Sequence, residues 1–244
     1  MLFQLIEIRE LEKISLKKPI IIEGFPGIGM VGTISSSYLA EKLGMKLVGY
    51  MASNKFPPIA AIHDYIPVSP ARIYASKEHN LIVLYSEFVI PADVVFSLTE
   101  KIIAWSKSKK ASVIYSLAGI AVPEPNDKVY GIASTKQVAE ALKKKGIEPI
   151  KEGATQGVSG VLIAECAAQK FPAANIMIQT NFSLDPRGSA RLINKLCEVT
   201  GLKVDTARLL KEGNEIEEKM KQAMNKMQSL HKDYKQMENS SMYG

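Results

Sequence analysis

The sequence predicts a three-layer α/β/α fold, Rossmann-like or nucleoside phosphorylase-like, with a largely parallel mixed sheet and an extended C-terminal helix. Over residues 1–204, short apolar runs rich in β-branched residues alternate with segments of helical spacing. Glycine-rich segments connect strand to helix at two places in this region. Beyond residue 204 the composition changes to Lys, Glu, Gln and Met, which indicates a separate helical segment.

The first strand and helix are joined by a tight turn within residues 19–32. The run Ile20–Ile22 is apolar at every position, which is typical of a central strand covered on both faces. Glycines allow the backbone to turn with positive φ and allow a helix to pack closely on a strand. The turn contains Gly24, Gly27, Gly29 and Gly32 around Pro26.

Gly27-x-Gly29-x-x-Gly32 also matches the fingerprint of dinucleotide-binding proteins. That function requires an acidic residue at the end of the next strand, but Ala-Ser-Asn follows the predicted strand Lys46–Met51. A P-loop would require Lys and then Ser or Thr after the glycines, and Met and Val occupy those positions. We therefore interpret the turn as architectural rather than as a nucleotide site.

The remaining elements of the core follow from periodicity and turn residues. In the first half they are an extended run Ile59–Ile66, a hairpin of Arg72–Ser76 with Leu81–Tyr85, and a helix opened by Pro91. In the second half they are a strand Ser112–Leu117, an extended piece Lys128–Ala133, a helix capped by Ser134 or Thr135 and ending at Lys145, a strand Ile147–Ile150, a second glycine-rich loop Gly153–Gly160, a helix Val161–Lys170, a strand Asn175–Thr180, and a helix opened by Asp185 and Pro186.

Three regions are predicted along the chain: an α/β core over residues 1–204, an amphipathic helical segment over 205–238 with a break near Gly213, and a flexible tail over 239–244. The helical segment carries an apolar stripe with alternating spacings of four and three residues. Such a stripe packs either on its own domain or against a partner helix, and its narrow width and charged flanks favour helix-to-helix packing. The stripe consists of Ile216, Met220, Ala223, Met227, Leu230, Tyr234 and Met237.

Composition limits the possible partners and cofactors. The formal charge of +6 comes partly from lysine runs at the C-terminal ends of predicted helices, where they complement the helix dipole. No aromatic residues are interleaved with these runs, so we do not expect nucleic-acid binding. No apolar run of 18 residues and no signal-peptide pattern occur, which predicts a cytoplasmic protein without a membrane partner. Metal-binding spacings of Cys and His are absent as well, and neither a metal nor a cofactor is expected.

No arrangement of residues in the sequence has catalytic spacing, so no catalytic residue is assigned. The competing hypothesis is a nucleoside- or phosphate-binding enzyme that uses the crevice between the two glycine-rich loops, since helix N-termini bind anions. The polar candidates for such a site are Glu23, His63, Glu87 and Asn181.

Three motifs together resemble the proteasome assembly chaperone 2 family over residues 1–200. They are Glu23-Gly-Phe-Pro-Gly-Ile-Gly-Met-Val-Gly32, Gly157-Val-Ser-Gly160, and Asp185-Pro-Arg-Gly-Ser-Ala190. The resemblance implies a non-enzymatic protein that acts on the proteasome without an ATPase motor, either as an activator or as an assembly chaperone.

The last three residues, Met242, Tyr243 and Gly244, match the hydrophobic-Tyr-X terminus by which proteasome activators dock into pockets between α-ring subunits of the 20S particle. Together with the resemblance, they imply that the α-ring is the partner. A single short tail binds weakly, so several tails on one oligomer would gain affinity from effective concentration. We therefore expect a homo-oligomer, with a tetramer favoured.

Overall fold

The computed structural model describes residues 6–211 and 213–241. In chain order, the helices and strands of this part are β1 (Glu7–Glu10), β2 (Ile20–Gly24), α1 (Val31–Lys42), β3 (Lys46–Ala52), β4 (Ala61–His63), β5 (Ile66–Val68), β6 (Ala71–Ser76), β7 (Leu81–Ser86), α2 (Val95–Ser108), β8 (Val113–Ala121), β9 (Val129–Ala133), α3 (Lys136–Lys144), β10 (Glu148–Pro149), α4 (Gly157–Ala168), β11 (Ala173–Thr180), α5 (Pro186–Thr200), α6 (Ala207–Lys211) and α7 (Gly213–Ser241).

Within residues 6–211 and 213–241, nine strands form one mixed sheet in the order β1-β3-β6-β7-β2-β8-β11-β9-β10. The four central strands β7, β2, β8 and β11 are mutually parallel. The β6–β7, β3–β6 and β1–β3 pairs are antiparallel on one side, and β9 is antiparallel to β11 on the other. The predicted α/β fold with a mixed sheet is therefore confirmed.

Helices cover both faces of the sheet, which gives the predicted three layers. Ile22 on β2 belongs to an apolar cluster with α1 and α5. The preceding residue, Ile21, points to the other face and belongs to a cluster with α2 and α4. Both side chains are fully buried. A strand that is apolar at every position thus lies between two helical layers, as its sequence predicts.

Several helix ends are fixed by the residues that the sequence indicates. Thr135 caps α3 by accepting a hydrogen bond from the backbone N–H of Val138, and the Asp185 side chain accepts from the N–H of Gly188 at 2.6 Å. Gly201 ends α5 with a φ of 78°. These caps stabilise helices whose first and last backbone groups have no partner within the helix.

Two local predictions are wrong. The run predicted as one extended segment, Ile59–Ile66, instead contains a two-stranded hairpin of β4 and β5, because Asp64 and Tyr65 both take positive φ and turn the chain. The helix predicted to begin at Val161 begins at Gly157. Glycine is required in its first turn, because a Cβ on Gly160 would lie only 2.7 Å from the backbone carbon of Thr155.

The C-terminal segment consists of α6 and the 29-residue helix α7. The predicted break near Gly213 adjoins residue 212, which lies outside the described part of the chain, so the break stays a prediction. Helix α7 continues to Ser241, so residues 239–241, assigned to the tail from sequence, are helical, since extending a formed helix is far easier than nucleating one. The division into regions 1–204, 205–238 and 239–244 remains a prediction. Across the described residues, no helix has the length and apolar character needed to cross a bilayer.

Candidate functional site

The glycine-rich turn packs against the backbone of its own core. A Cβ on Gly32 would lie 2.4 Å from the carbonyl oxygen of Leu117, and a Cβ on Gly24 would lie 2.2 Å from the carbonyl oxygen of Gly32. Gly29 has a φ of 65°. These contacts explain three of the four glycines by close packing of α1 on the sheet, without any ligand. A Cβ on Gly27 would meet nothing within 4 Å.

Glu23 lies beneath this turn and is fully buried. Its carboxylate accepts hydrogen bonds from the N–H of Phe25 at 2.9 Å, from Ser159 on α4 at 3.2 Å, and from Ser116 on β8. Burial raises the pKa of Glu23, and the three hydrogen bonds oppose that shift. The strand register places Glu23, Ser116 and Asn175 side by side on β2, β8 and β11. Asn175 is also fully buried, and neither polar atom of its side chain has a partner in the described part of the chain.

The four polar candidates for a crevice between the glycine-rich loops do not form one site. Glu23 is enclosed in the core, and the side chain of Asn181 donates to the carbonyl oxygen of Pro123 at 3.2 Å, beside a shallow depression. His63 and Glu87 do meet, with Nε2 and Oε1 2.8 Å apart, and both line a separate cleft described below. The structure therefore does not bring these four residues together in one crevice, and a ligand at the glycine-rich loops remains a prediction.

A cleft of about 690 Å³ opens on the face of the sheet that α1 covers. Its walls are α1, strands β6 and β7, the β4–β5 hairpin, and the C-terminal helices α6 and α7. A volume of this size is typical of small-molecule pockets. The residues that line it are Met30, Thr33, Ile34, Ser37, Tyr38, Ala40, Glu41, Gly44, Met45, His63, Asp64, Arg72, Tyr74, Tyr85, Glu87, Arg208, Leu209, Lys219 and Met227.

The polar centre of the cleft is a three-residue cluster. The guanidinium group of Arg72, which is 2% exposed, and the imidazole of His63 both contact Oε1 of Glu87. Burial lowers the pKa of His63, and the positive charge of Arg72 lowers it further. In its neutral form, His63 donates its Nε2 hydrogen to the Glu87 carboxylate.

An aromatic pair lies beside this cluster. The rings of Tyr74 and Tyr85 are nearly parallel, with 5.7 Å between centroids and an angle of 7°. Arg72 lies 5.1 Å from the centroid of Tyr85, a cation–π arrangement that orients the guanidinium. Burial raises the pKa of Tyr85 to about 12, so its hydroxyl stays protonated.

Sequence reasoning missed Arg72, Tyr74 and Tyr85 as site residues, and treated them only as strand residues. The signal that could have found them is the predicted hairpin. Counting back from the turn pairs Ser76 with Leu81 and therefore Arg72 with Tyr85, the register that the structure shows. Strand alternation then places Tyr74 on the same face as Arg72.

Helix α7 contains the predicted packing stripe. Met227 is half-buried and lines the cleft, whereas Leu230, one step further along the stripe, is 50% exposed. The side chains of Ile216, Met220, Ala223, Tyr234 and Met237 lie outside the described part of the structure, as do residues Met242, Tyr243 and Gly244. In the described residues, no group of three or more His, Cys, Asp or Glu side chains is positioned to hold a metal ion.

The fold and these sites define an α/β protein with a cleft on one face and a C-terminal helical arm. The model of the PAC2 family matches residues 21–224. An uncharacterised protein of Methanocaldococcus jannaschii is 33% identical over 230 residues, which are 92% of this chain and 95% of the relative. The chain belongs to the PAC2 family.

Solved structures of archaeal proteins share this fold. Pyrococcus furiosus PbaA, an archaeal homologue of proteasome-assembly chaperone, is 29% identical and superposes with a TM-score of 0.84 over 92% of this chain and 99% of its own. Pyrococcus furiosus PbaB, an archaeal proteasome activator, is 21% identical with a TM-score of 0.76 over 91% of this chain and 99% of its own. The similarity to PbaB concerns the fold alone.

Proposed function

We propose that this protein is a non-enzymatic proteasome-binding protein of the cytoplasm. It docks Met242, Tyr243 and Gly244 into pockets between α-ring subunits of the 20S core particle, and so opens the gate without ATP, assists assembly, or both. The observation that carries this proposal is α7, which continues to Ser241, the residue immediately before the motif. Similarity to a homologue of proteasome-assembly chaperone supports the choice of partner.

The chemistry of the three residues suits such docking. A tyrosine ring supplies a large contact area at low entropic cost, with a hydroxyl that needs a partner when buried. The terminal carboxylate is an anion that a lysine in a pocket would bind. Docking that favours the open ring over the closed ring shifts the gate toward opening with no energy source other than binding.

Affinity in this proposal depends on several tails acting together. A homo-oligomer, with a tetramer favoured, presents several copies of α7, and the stripe on this helix packs against the same helix of neighbouring copies. Once one tail is docked, the others bind at a high effective concentration. No cofactor takes part.

The test is peptide hydrolysis by an archaeal 20S particle, with binding to the particle measured in parallel. Full-length protein is compared with a variant that lacks residues 242–244 and with Tyr243→Ala, and Ser240→Ala is the matched control within the same terminal segment. We expect full-length protein and Ser240→Ala to bind and stimulate alike, and both tail variants to lose binding by at least tenfold. Equal binding by the truncated and full-length proteins would show that the tail is not the docking element.

A further inference from the structure

The cleft contains a pair of hydrogen-bond acceptors that the protein itself does not use. Oε1 of Glu87 already accepts from both Arg72 and His63, whereas its Oε2 makes no hydrogen bond within the described residues. The Glu87 side chain is 20% exposed. In the neutral imidazole that donates its Nε2 hydrogen to Glu87, Nδ1 is an acceptor as well. A ligand with two hydroxyl donors could supply hydrogen bonds to such a pair.

An apolar, partly aromatic surface lies next to these acceptors. Tyr74 is half-buried and stacked on Tyr85, and Met30 and Met45 line the same space. Aromatic rings and thioethers bind flat π-systems well, with little selectivity among them. This part of the cleft therefore suits a planar heteroaromatic ring.

Cationic side chains line the cleft on the side of the C-terminal helices. Arg208 on α6 pairs with Glu41 on α1 at 3.0 Å, and Lys219 lies on α7. A phosphate on a ligand could approach these cations, but Glu41 and Asp64 offset part of their charge. A phosphate would therefore add little affinity beyond that of the uncharged ligand.

We propose that the cleft is a binding site for a ribonucleoside or its 5′-monophosphate. The base lies against Tyr74, and the 2′- and 3′-hydroxyls of the ribose donate to Glu87 and His63. Carboxylates commonly hold ribose through these hydroxyls. The site does not depend on proteasome docking.

The experiment is calorimetric titration of the full-length protein with adenosine, guanosine, cytidine, uridine and AMP, each up to about 5 mM, the range where weak small-molecule binding is detectable. The matched ligand control is 2′,3′-dideoxyadenosine, which keeps the base and lacks both hydroxyls. We expect at least one ribonucleoside to bind and the dideoxy analogue of adenosine to bind at least tenfold more weakly than adenosine, because two hydrogen bonds to the acceptor pair are lost.

Variants locate the site. Glu87→Gln removes the carboxylate, and we expect at least tenfold weaker binding of the ribonucleoside with unchanged binding of the dideoxy analogue. Because Glu87→Gln also leaves Arg72 without its counter-charge, His63→Phe is a second variant at a side chain that is 52% exposed. Glu78→Gln, an exposed residue in the β6–β7 turn, makes the same charge change outside the cleft and should bind as wild type does.

Three results would overturn the proposal. They are no heat of binding for any of the five ligands, equal affinity for adenosine and its dideoxy analogue, and ribonucleoside binding that neither Glu87→Gln nor His63→Phe weakens. The outcome does not test docking by residues 242–244, because no ligand or variant in this experiment concerns those residues.

Discussion

At the scale of single residues, the most unusual side chain is the buried carboxylate Glu23. It has three hydrogen-bond donors around it but no cationic partner among the described residues. An ionised carboxylate without a counter-charge is costly to bury. Its neighbours Ser116, Ser159 and Asn175 form a polar cluster in an otherwise apolar layer. The amide of Asn175 has no hydrogen-bond partner in the described part of the chain.

We predict that Glu23→Gln stabilises the protein at pH 8 and not at pH 4. Burial raises the pKa of Glu23 above its unfolded value of 4.5, so the folded state holds the proton more tightly. The stability that this proton contributes is fully present below pH 4.5 and is lost as the pH rises through the folded pKa. A neutral amide removes that loss. We expect the Tm to rise by about 2–4 °C, equivalent to about 1 kcal/mol.

The measurement is thermal unfolding by circular dichroism from pH 4 to pH 8. Glu78→Gln is the control, because it makes the same change at an exposed residue. If Glu23→Gln and wild type lost stability in parallel over this range, burial of the Glu23 charge would not be the cause.

At the scale of secondary structure elements, the glycine-rich turn shows why a motif requires its context. Gly24, Gly29 and Gly32 are explained by packing or by positive φ, whereas Gly27, the first glycine of the fingerprint, has open space around it. Thr33 strengthens this contact through hydrogen bonds to the carbonyl oxygens of Gly24 and Ser86.

We predict that Gly32→Ala destabilises the protein by about 2 kcal/mol, or about 4–8 °C in Tm, because its Cβ would meet the carbonyl oxygen of Leu117 at 2.4 Å. Gly27→Ala is the matched control from the same motif. Gly27 has extended backbone with a φ of −159° and open space around it, so we expect a change below about 0.5 kcal/mol. Chemical denaturation of both variants checks this, and equal losses would contradict an architectural role for Gly32.

The elements that were predictable from sequence are those with local signals. Apolar runs identified β2 and β7, and side-chain caps identified the starts of α3 and α5. The start of α4 was missed because the intrinsic helix propensity of glycine is low. The reason for glycine in this helix is the close contact between Gly160 and the Thr155 backbone, which only the structure shows.

The cleft cluster was only partly predictable for a related reason. His63 and Glu87 were identified as polar candidates, but their contact spans 24 residues and depends on the turn at Asp64 and Tyr65. The extended run predicted over Ile59–Ile66 has no such turn. Long-range pairings of this kind depend on tertiary packing, which periodicity does not encode.

At the scale of the whole molecule, α7 is the element that the core does not enclose. It contacts α5 and α6 near its start, and most of the described side chains beyond Met227 are exposed. An amphipathic helix whose far end is exposed gains stability when its apolar stripe is covered there by a partner. This is the structural basis for expecting association through α7.

We predict that Leu230→Lys weakens self-association by at least tenfold, since Leu230 is 50% exposed and burial of a leucine contributes about 1.5–3 kcal/mol. Ser229→Lys is the control, because it adds the same charge to an adjacent exposed residue that is not part of the stripe. Sedimentation equilibrium measures the mass relative to the monomer of 26.8 kDa. A wild-type protein that sediments as a monomer at all concentrations would contradict the proposed oligomer.

The length of α7 has a consequence for the choice of partner. A helix of 29 residues rises about 43 Å, so each copy would present its terminal residues at a set distance from the core. In an oligomer, the separations between these ends would then be fixed by the arms, and not averaged over many values as they are for flexible linkers. Simultaneous docking succeeds only where the pockets of a ring have matching separations. Ring diameter and subunit number would thus be recognised along with pocket chemistry.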